Sequence, residues 1–99
     1  MEKLFISQPM KDKTDEEILQ ERKNAISVAK DILKDDVEVI ESFFEKVPNV
    51  KTKPLWYLGE SIKLLSEADV VYFATGWENE RGCKIEHTCA VEYGIDRIE

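Results

Sequence analysis

Short apolar runs alternate with longer segments in which apolar residues recur every three or four positions, and this alternation organises the whole chain. Lys3-Leu4-Phe5-Ile6-Ser7 is an apolar run ended by Gln8-Pro9, which predicts a buried first strand and a turn. Thr14-Asp15-Glu16-Glu17 has the form of a capping box. Ile18, Ala25, Ala29 and Ile32 follow it at spacings that put them on one buried face of a first helix. Val37 to Ser42 reads as a second strand, delivering Ser42, Phe43 and Phe44 at its C-terminal end. After a lysine-bearing connection between Pro48 and Pro54, the repeat Leu55, Leu58, Ile62, Leu65 predicts a second helix. Asp69 to Ala74 is the clearest strand, and Thr75 to Gly82 is a polar, glycine-containing turn beyond it. A third helix is expected from about Cys83 to Tyr93, with Ile85, Cys89 or Ala90, and Tyr93 facing inward. Gly94 then caps it before a last strand, Ile95 to Ile98.

Strands alternating with helices predict right-handed βαβ units. The expected fold is a single α/β domain over residues 1–99, a three-layer, Rossmann- or flavodoxin-like arrangement with a small parallel sheet in the order 2-1-3-4. Ligands of such sheets bind at the carboxyl ends of the strands where the order reverses, here between the first and third strands. Ser7, Gln8, Pro9, Ser42, Phe43, Gly76 and Trp77 all belong to that edge.

Composition narrows the partners. Lys and Arg number 14 against 21 Asp and Glu, and a net charge of −7 repels nucleic-acid polymers. A nucleotide monomer stays open, because the amides of a helix start hold one phosphate without an excess of basic side chains. No apolar run approaches the roughly 18 residues of a membrane span, and Met1-Glu2-Lys3 leads into the first strand without a cleavable signal pattern, so the expected location is the cytoplasm. Cys83 and Cys89, six apart on one helix, read as free thiols. No Cys/His ligand set accompanies them, so neither a metal nor another cofactor is expected. A 99-residue chain has a thin core, and the pairs Phe43-Phe44 and Trp56-Tyr57 suggest apolar surface spent in a homodimer or larger homo-oligomer.

Glu86 is the candidate reactive group. It lies four residues after Gly82, near the start of the third helix, where free N–H groups and a partial positive charge favour an anion at Gly82-Cys83-Lys84 and keep a carboxylate ionised. The bland alternative is a solvated helical glutamate, the usual state of that residue. Trp77 suits either stacking on a ligand or a lid over the core. His87 points about 100° away from Glu86 around the helix, which speaks against a Glu–His relay. Arg22 and Arg81 read as surface partners of the many carboxylates.

The string Gly82-Cys83-Lys84-Ile85-Glu86-His87-Thr88-Cys89-Ala90 resembles the nucleoside 2-deoxyribosyltransferase family, in which a Gly is followed four residues later by the nucleophilic Glu and four after that by Ala. Ser7-Gln8-Pro9 and Ala68-Asp69-Val70-Val71 extend the likeness over most of the chain. With Gly76 to Gly82 included, the chain looks closest to a short bacterial and phage domain of unassigned function grouped with those transferases. The resemblance implies that Glu86 attacks the anomeric carbon of a deoxyribose, giving a glycosyl-enzyme that passes its sugar to another base or to water, with no metal. It also implies a base-holding role for Glu80, where the family has Asp. Two further positions depart from the pattern. Phe5 stands where a tyrosine hydroxyl steadies the nucleophile, and Ser61 stands where the family has an aspartate. The expected function is therefore an N-glycosidic bond enzyme, transferase or hydrolase, acting on a nucleoside or nucleotide. The alternative is a non-catalytic module that binds the same ligands, and a third reading is an oligomeric interaction protein.

Overall fold

The computed structural model describes residues 1–42, 44 and 46–99. The chain runs β1 (Glu2–Ser7), α1 (Asp15–Leu33), β2 (Val37–Val39), α2 (Lys53–Leu65), β3 (Val70–Phe73), a single 3₁₀ turn (Trp77–Asn79), α3 (Arg81–Glu92) and β4 (Asp96–Ile98). The four strands form one parallel sheet in the order β2-β1-β3-β4, as the alternation of the sequence predicts. The inner pair sets the register for everything else. Phe5 stands opposite Val71 and Ser7 opposite Phe73, and the amide of Ala74 donates to the Ser7 carbonyl at 2.9 Å, carrying the pairing one step past the strand ends.

Each strand alternates between two layers, as the two-residue period of a strand requires. Leu4, Ile6, Val70 and Tyr72 face α1, where Ala25 and Ala29 let the helix approach the sheet closely. Phe5, Val71 and Phe73 face the other way, against Leu65 of α2 and Ala90 of α3. The α1 start is the expected capping box, with the Glu17 amide donating to Thr14 Oγ1 and the Thr14 amide donating to Glu17 Oε1. Among the described residues no helix is long and apolar enough to cross a membrane.

Several expected core positions lie outside. Ile32 is 56% exposed, Leu55 63% and Tyr93 83%, and Ile85 is also exposed. In α3 Ala90 is buried as expected, and the residues that share its buried stripe are Cys83 and Glu86. This stripe is rotated from the apolar one because the helix turns a carboxylate inward, and hydrophobicity alone cannot announce that. The second strand stops at Val39, three residues short of Ser42, although the Ile40 amide still donates to the Leu4 carbonyl. Of the aromatic residues expected at a subunit contact, Phe44, Trp56 and Tyr57 meet one another within the chain. Phe44 packs on Trp56 and Tyr57, with ring centroids at 6.0 and 6.1 Å, and Trp56 meets Tyr57 at 5.3 Å. Phe43 lies outside the described residues.

Gly94 stops α3 as expected. Its φ is +70°, the Ile95 amide donates to the Ala90 carbonyl at 2.9 Å, and the Gly94 amide reaches the Val91 carbonyl at 3.4 Å, a Schellman pair that aims the chain into β4. An L side chain in this left-handed conformation costs about 1–2 kcal/mol. Gly94→Ala is therefore expected to lower the unfolding free energy by about that much, read as a lower urea midpoint at constant slope. An unchanged midpoint would contradict the left-handed stop.

Candidate functional site

The end of β1 and the first turns of α3 meet at one point. Ser7, the last residue of β1, is 2% exposed, and its Oγ donates a hydrogen bond of 2.7 Å to Oε1 of Glu86, itself 7% exposed. Glu86 is thus not a solvated helical glutamate. Its other oxygen, Oε2, has no hydrogen-bond partner among the described residues, and it is not one of the side-chain oxygens sealed from solvent without a partner.

Burial dominates the electrostatics of this carboxyl. It pushes the Glu86 pKa up from 4.5 to about 7, against the opposing hydrogen bond from Ser7. The sequence reading, in which the helix start keeps Glu86 ionised, is corrected here. Glu86 is the sixth residue of α3, past the first turn where the dipole acts, so desolvation wins. Cys83 lies beside the pair. Burial first, and then the charges of Glu86 and Glu80, raise its thiol to about 11 while Ser7 opposes, so it stays protonated and is no nucleophile at neutral pH.

Glu86 opens into a cavity of about 290 Å³ with walls from three segments. Gln8, Met10 and Lys11 follow β1; Pro54, Tyr57, Leu58 and Ser61 come from α2; and Glu80, Arg81, Gly82, Cys83 and Glu86 are the N-cap and first half of α3. Gln8 is held from the side, its Nε2 donating to the Ile18 carbonyl at 3.1 Å. Its Oε1 is buried without a partner, a cost of roughly 1–3 kcal/mol carried beside the cavity.

Of the residues expected at the site, Gln8, Glu80, Gly82, Cys83 and Glu86 line this cavity, and Ser7 holds Glu86 from beneath. The others stay apart. Pro9 lies near Gly76, 3.7 Å from where a Cβ on that glycine would stand, and lines a different cavity with Thr75 on the α1 side. The Trp77 ring stacks on His87 at 4.0 Å and 17° and packs against Phe73 at 5.5 Å, so it covers the core beyond β3 rather than the Glu86 cavity. Ser42 is not among the cavity residues, because β2 ends before reaching it, and Phe43 lies outside the described residues. His87 pairs with Glu99, Nε2 to Oε2 at 2.7 Å, and takes no part with Glu86.

Sequence reasoning missed Lys11, Tyr57 and Leu58, and it set Arg81 aside as a surface cation. Arg81 enters no ion pair among the described residues, whereas Arg22 pairs with Glu41 at 3.7 Å. For Lys11 and Arg81 the available signal was position, since one follows the end of β1 and the other opens α3. Among the described residues no group of three or more His, Cys, Asp or Glu side chains is placed to hold a metal ion.

With this geometry in view, comparison with protein-family models gives one match, a domain of unknown function (DUF4406), over residues 2–98. The chain belongs to the DUF4406 family. No curated protein and no solved structure matches it.

The raised pKa makes the stability of this DUF4406 domain depend on pH in a defined direction. Folded Glu86 keeps its proton to about pH 7, while the unfolded chain releases it near 4.5. Between those values the folded state holds the extra proton, so stability is greatest below the unfolded value and falls as pH rises through 7. This group is expected to cost on the order of 3 kcal/mol between pH 4 and pH 8. Glu86→Gln, which still accepts from Ser7, should remove that component and be more stable than the wild type at pH 8. Parallel pH profiles of the two urea midpoints would contradict the assignment.

Proposed function

We propose that this domain cleaves or transfers at the N-glycosidic bond of a nucleoside or nucleotide, with Glu86 as the nucleophile. The observation that carries the reading is the Ser7–Glu86 pair. One carboxylate oxygen is pinned at 2.7 Å and the other is unpartnered, at a cavity of about 290 Å³, near the lower end of small-ligand sites. The transferase resemblance supplies the reaction, and this geometry suits it.

In its ionised form the free oxygen of Glu86 attacks the anomeric carbon. The bond from that carbon to the base nitrogen breaks, its electron pair goes to the nitrogen, and the base leaves with a proton taken from solvent. Water or a second base then attacks the same carbon and gives up a proton to solvent, and the bonding pair of the glycosyl ester returns to Glu86. Glu80, which the resemblance puts on the base side, lines the same cavity. Phe5 is packed with Val71 and Phe73 and has no hydroxyl to offer. Ser7, two residues further along the same strand, fills the orienting role that a tyrosine has in the transferases.

One observation favours the second reading, a module that binds without reacting. Ser61 lines the cavity where the transferases have an acid, and a serine cannot protonate a leaving base as a carboxylic acid does.

The test is base release from a panel of deoxynucleosides and their 5′-monophosphates, followed by chromatography. Glu86→Ala and Glu86→Gln are expected to abolish release with ligand affinity held within about tenfold, because the carboxylate acts in the transition state. Ser7→Ala removes a hydrogen bond that lowers the Glu86 pKa, so its acid limb should move to higher pH while activity persists. Release at the wild-type rate by Glu86→Ala would refute the nucleophile. Absence of release from the whole panel, with binding weakened in both Glu86 variants, would establish the binding module instead.

A further inference from the structure

Helices normally cover both faces of a parallel sheet, and this sheet is covered unevenly. Leu65 of α2 and Ala90 of α3 pack against the face that carries Phe5, Val71 and Phe73, whereas α1 alone serves the other face and lies mainly over β1 and β2. β4 shows what is left open. Ile98 stands opposite Tyr72 and packs at the edge of the α1-side cluster, so Asp96, two residues back and opposite Val70, points to the same face. Asp96 is exposed. Between α1 and β4 runs a groove of about 470 Å³ whose apolar walls include Val28 and Ile32 of α1, Tyr72 of β3 and Ile98 of β4. Ile32 is the apolar residue of α1 that the sheet leaves most to water, at 56% exposure.

Charge decides what fits this groove. Glu78 and Glu99 line it, and no lysine or arginine does. Asp31 borders Val28 on the α1 side, where the neighbouring Lys30 is engaged by Asp36 at 3.5 Å. Glu99 is taken up by His87 and Arg97, but Asp31, Glu78 and Asp96 enter no ion pair among the described residues. A second copy of the chain, related by a two-fold axis, would set this patch against itself and bring acid to acid. The matching surface is therefore apolar along its centre and basic at its edges.

We propose that this groove docks an amphipathic helix of a partner protein, laid on the sheet beside α1. Its apolar stripe rests on Val28, Ile32, Tyr72 and Ile98, and Lys or Arg side chains on its flanks meet Asp31, Glu78 and Asp96. The helix supplies the layer that β4 lacks, and Asp96, covered by that contact, requires a cation from it. The groove lies on the sheet face opposite the Ser7–Glu86 pair and does not rest on the glycosidic reading.

The probe is a synthetic helix of about 20 residues with leucines along one face and lysines on both flanks, compared with the same helix carrying glutamates in place of the lysines. In an NMR titration of the full chain, the lysine helix is expected to shift the amides of residues 28–32, 75–78 and 96–98. Ile32→Ser changes an exposed position and leaves the fold in place, and it should weaken the lysine helix by tenfold or more. Asp96→Lys should weaken it likewise and strengthen binding of the glutamate helix. Leu55→Ser on α2 and Asp15→Asn at the start of α1 should leave both affinities unchanged. Shifts centred away from the groove would overturn the proposal, as would unchanged affinity in both Ile32→Ser and Asp96→Lys. Equal weakening by Asp15→Asn would reduce the binding to general attraction by an acidic chain and overturn it too. A wild-type dimer in light scattering that Ile32→Ser converts to a monomer would make a second copy the occupant and reject the partner helix.

Discussion

A buried hydrogen bond from Ser7 to Glu86 joins the end of the first strand to the third helix, and the working end of the domain is arranged around it. Ser7 has no freedom to be elsewhere. It sits in the inner strand pair, opposite Phe73, with its own carbonyl taken by the Ala74 amide. Glu86 is turned inward by the same helix that buries Cys83 and Ala90. A carboxyl buried to this degree loses most of its hydration, and one hydrogen bond offsets only part of the cost of its charge. The outcome is a side chain near the balance point between acid and carboxylate at neutral pH, a state suited to proton transfer or to covalent chemistry.

The sheet separates this chemistry from two other regions at the same edge. On the α1 side, Pro9 and Thr75 border a different cavity with Lys13 and the acidic first turns of α1. Beyond β3, the Phe73, Trp77 and His87 rings close over one another. The Glu86 cavity is therefore bounded by the β1 turn, one face of α2 and the first half of α3. A site at this edge is common where parallel strands end, because post-strand loops and helix N-termini converge there.

The sheet order was legible because the apolar runs are short and well separated, and the capping box at Thr14 and the stop at Gly94 each have a local chemical signature. The position of Glu86 was legible from its spacing to Gly82 and Ala90. Its burial was not, since an isolated helical glutamate reads as solvated and only the rotation of α3 decides otherwise. Ser7 as its partner was hidden by the same difficulty. Attention falls on Phe5, the position of the missing tyrosine, whereas the hydroxyl that reaches Glu86 stands two residues on, in the same layer of the sheet. Trp77 stayed open because an aromatic in a polar loop has two equally physical fates, and here the His87 ring claims it. Ile32, Leu55, Ile85 and Tyr93 show the limit of reading helix faces from hydrophobicity in a small domain, where not every apolar stripe has a partner within the chain.

The most direct measurement is an NMR titration of the Glu86 side-chain carboxyl carbon in the folded wild type, assigned by its disappearance in Glu86→Gln. The account requires a midpoint near pH 7, set by burial against the Ser7 hydrogen bond. A midpoint near 4.5, the value of a solvated glutamate, would place Glu86 in water and contradict it.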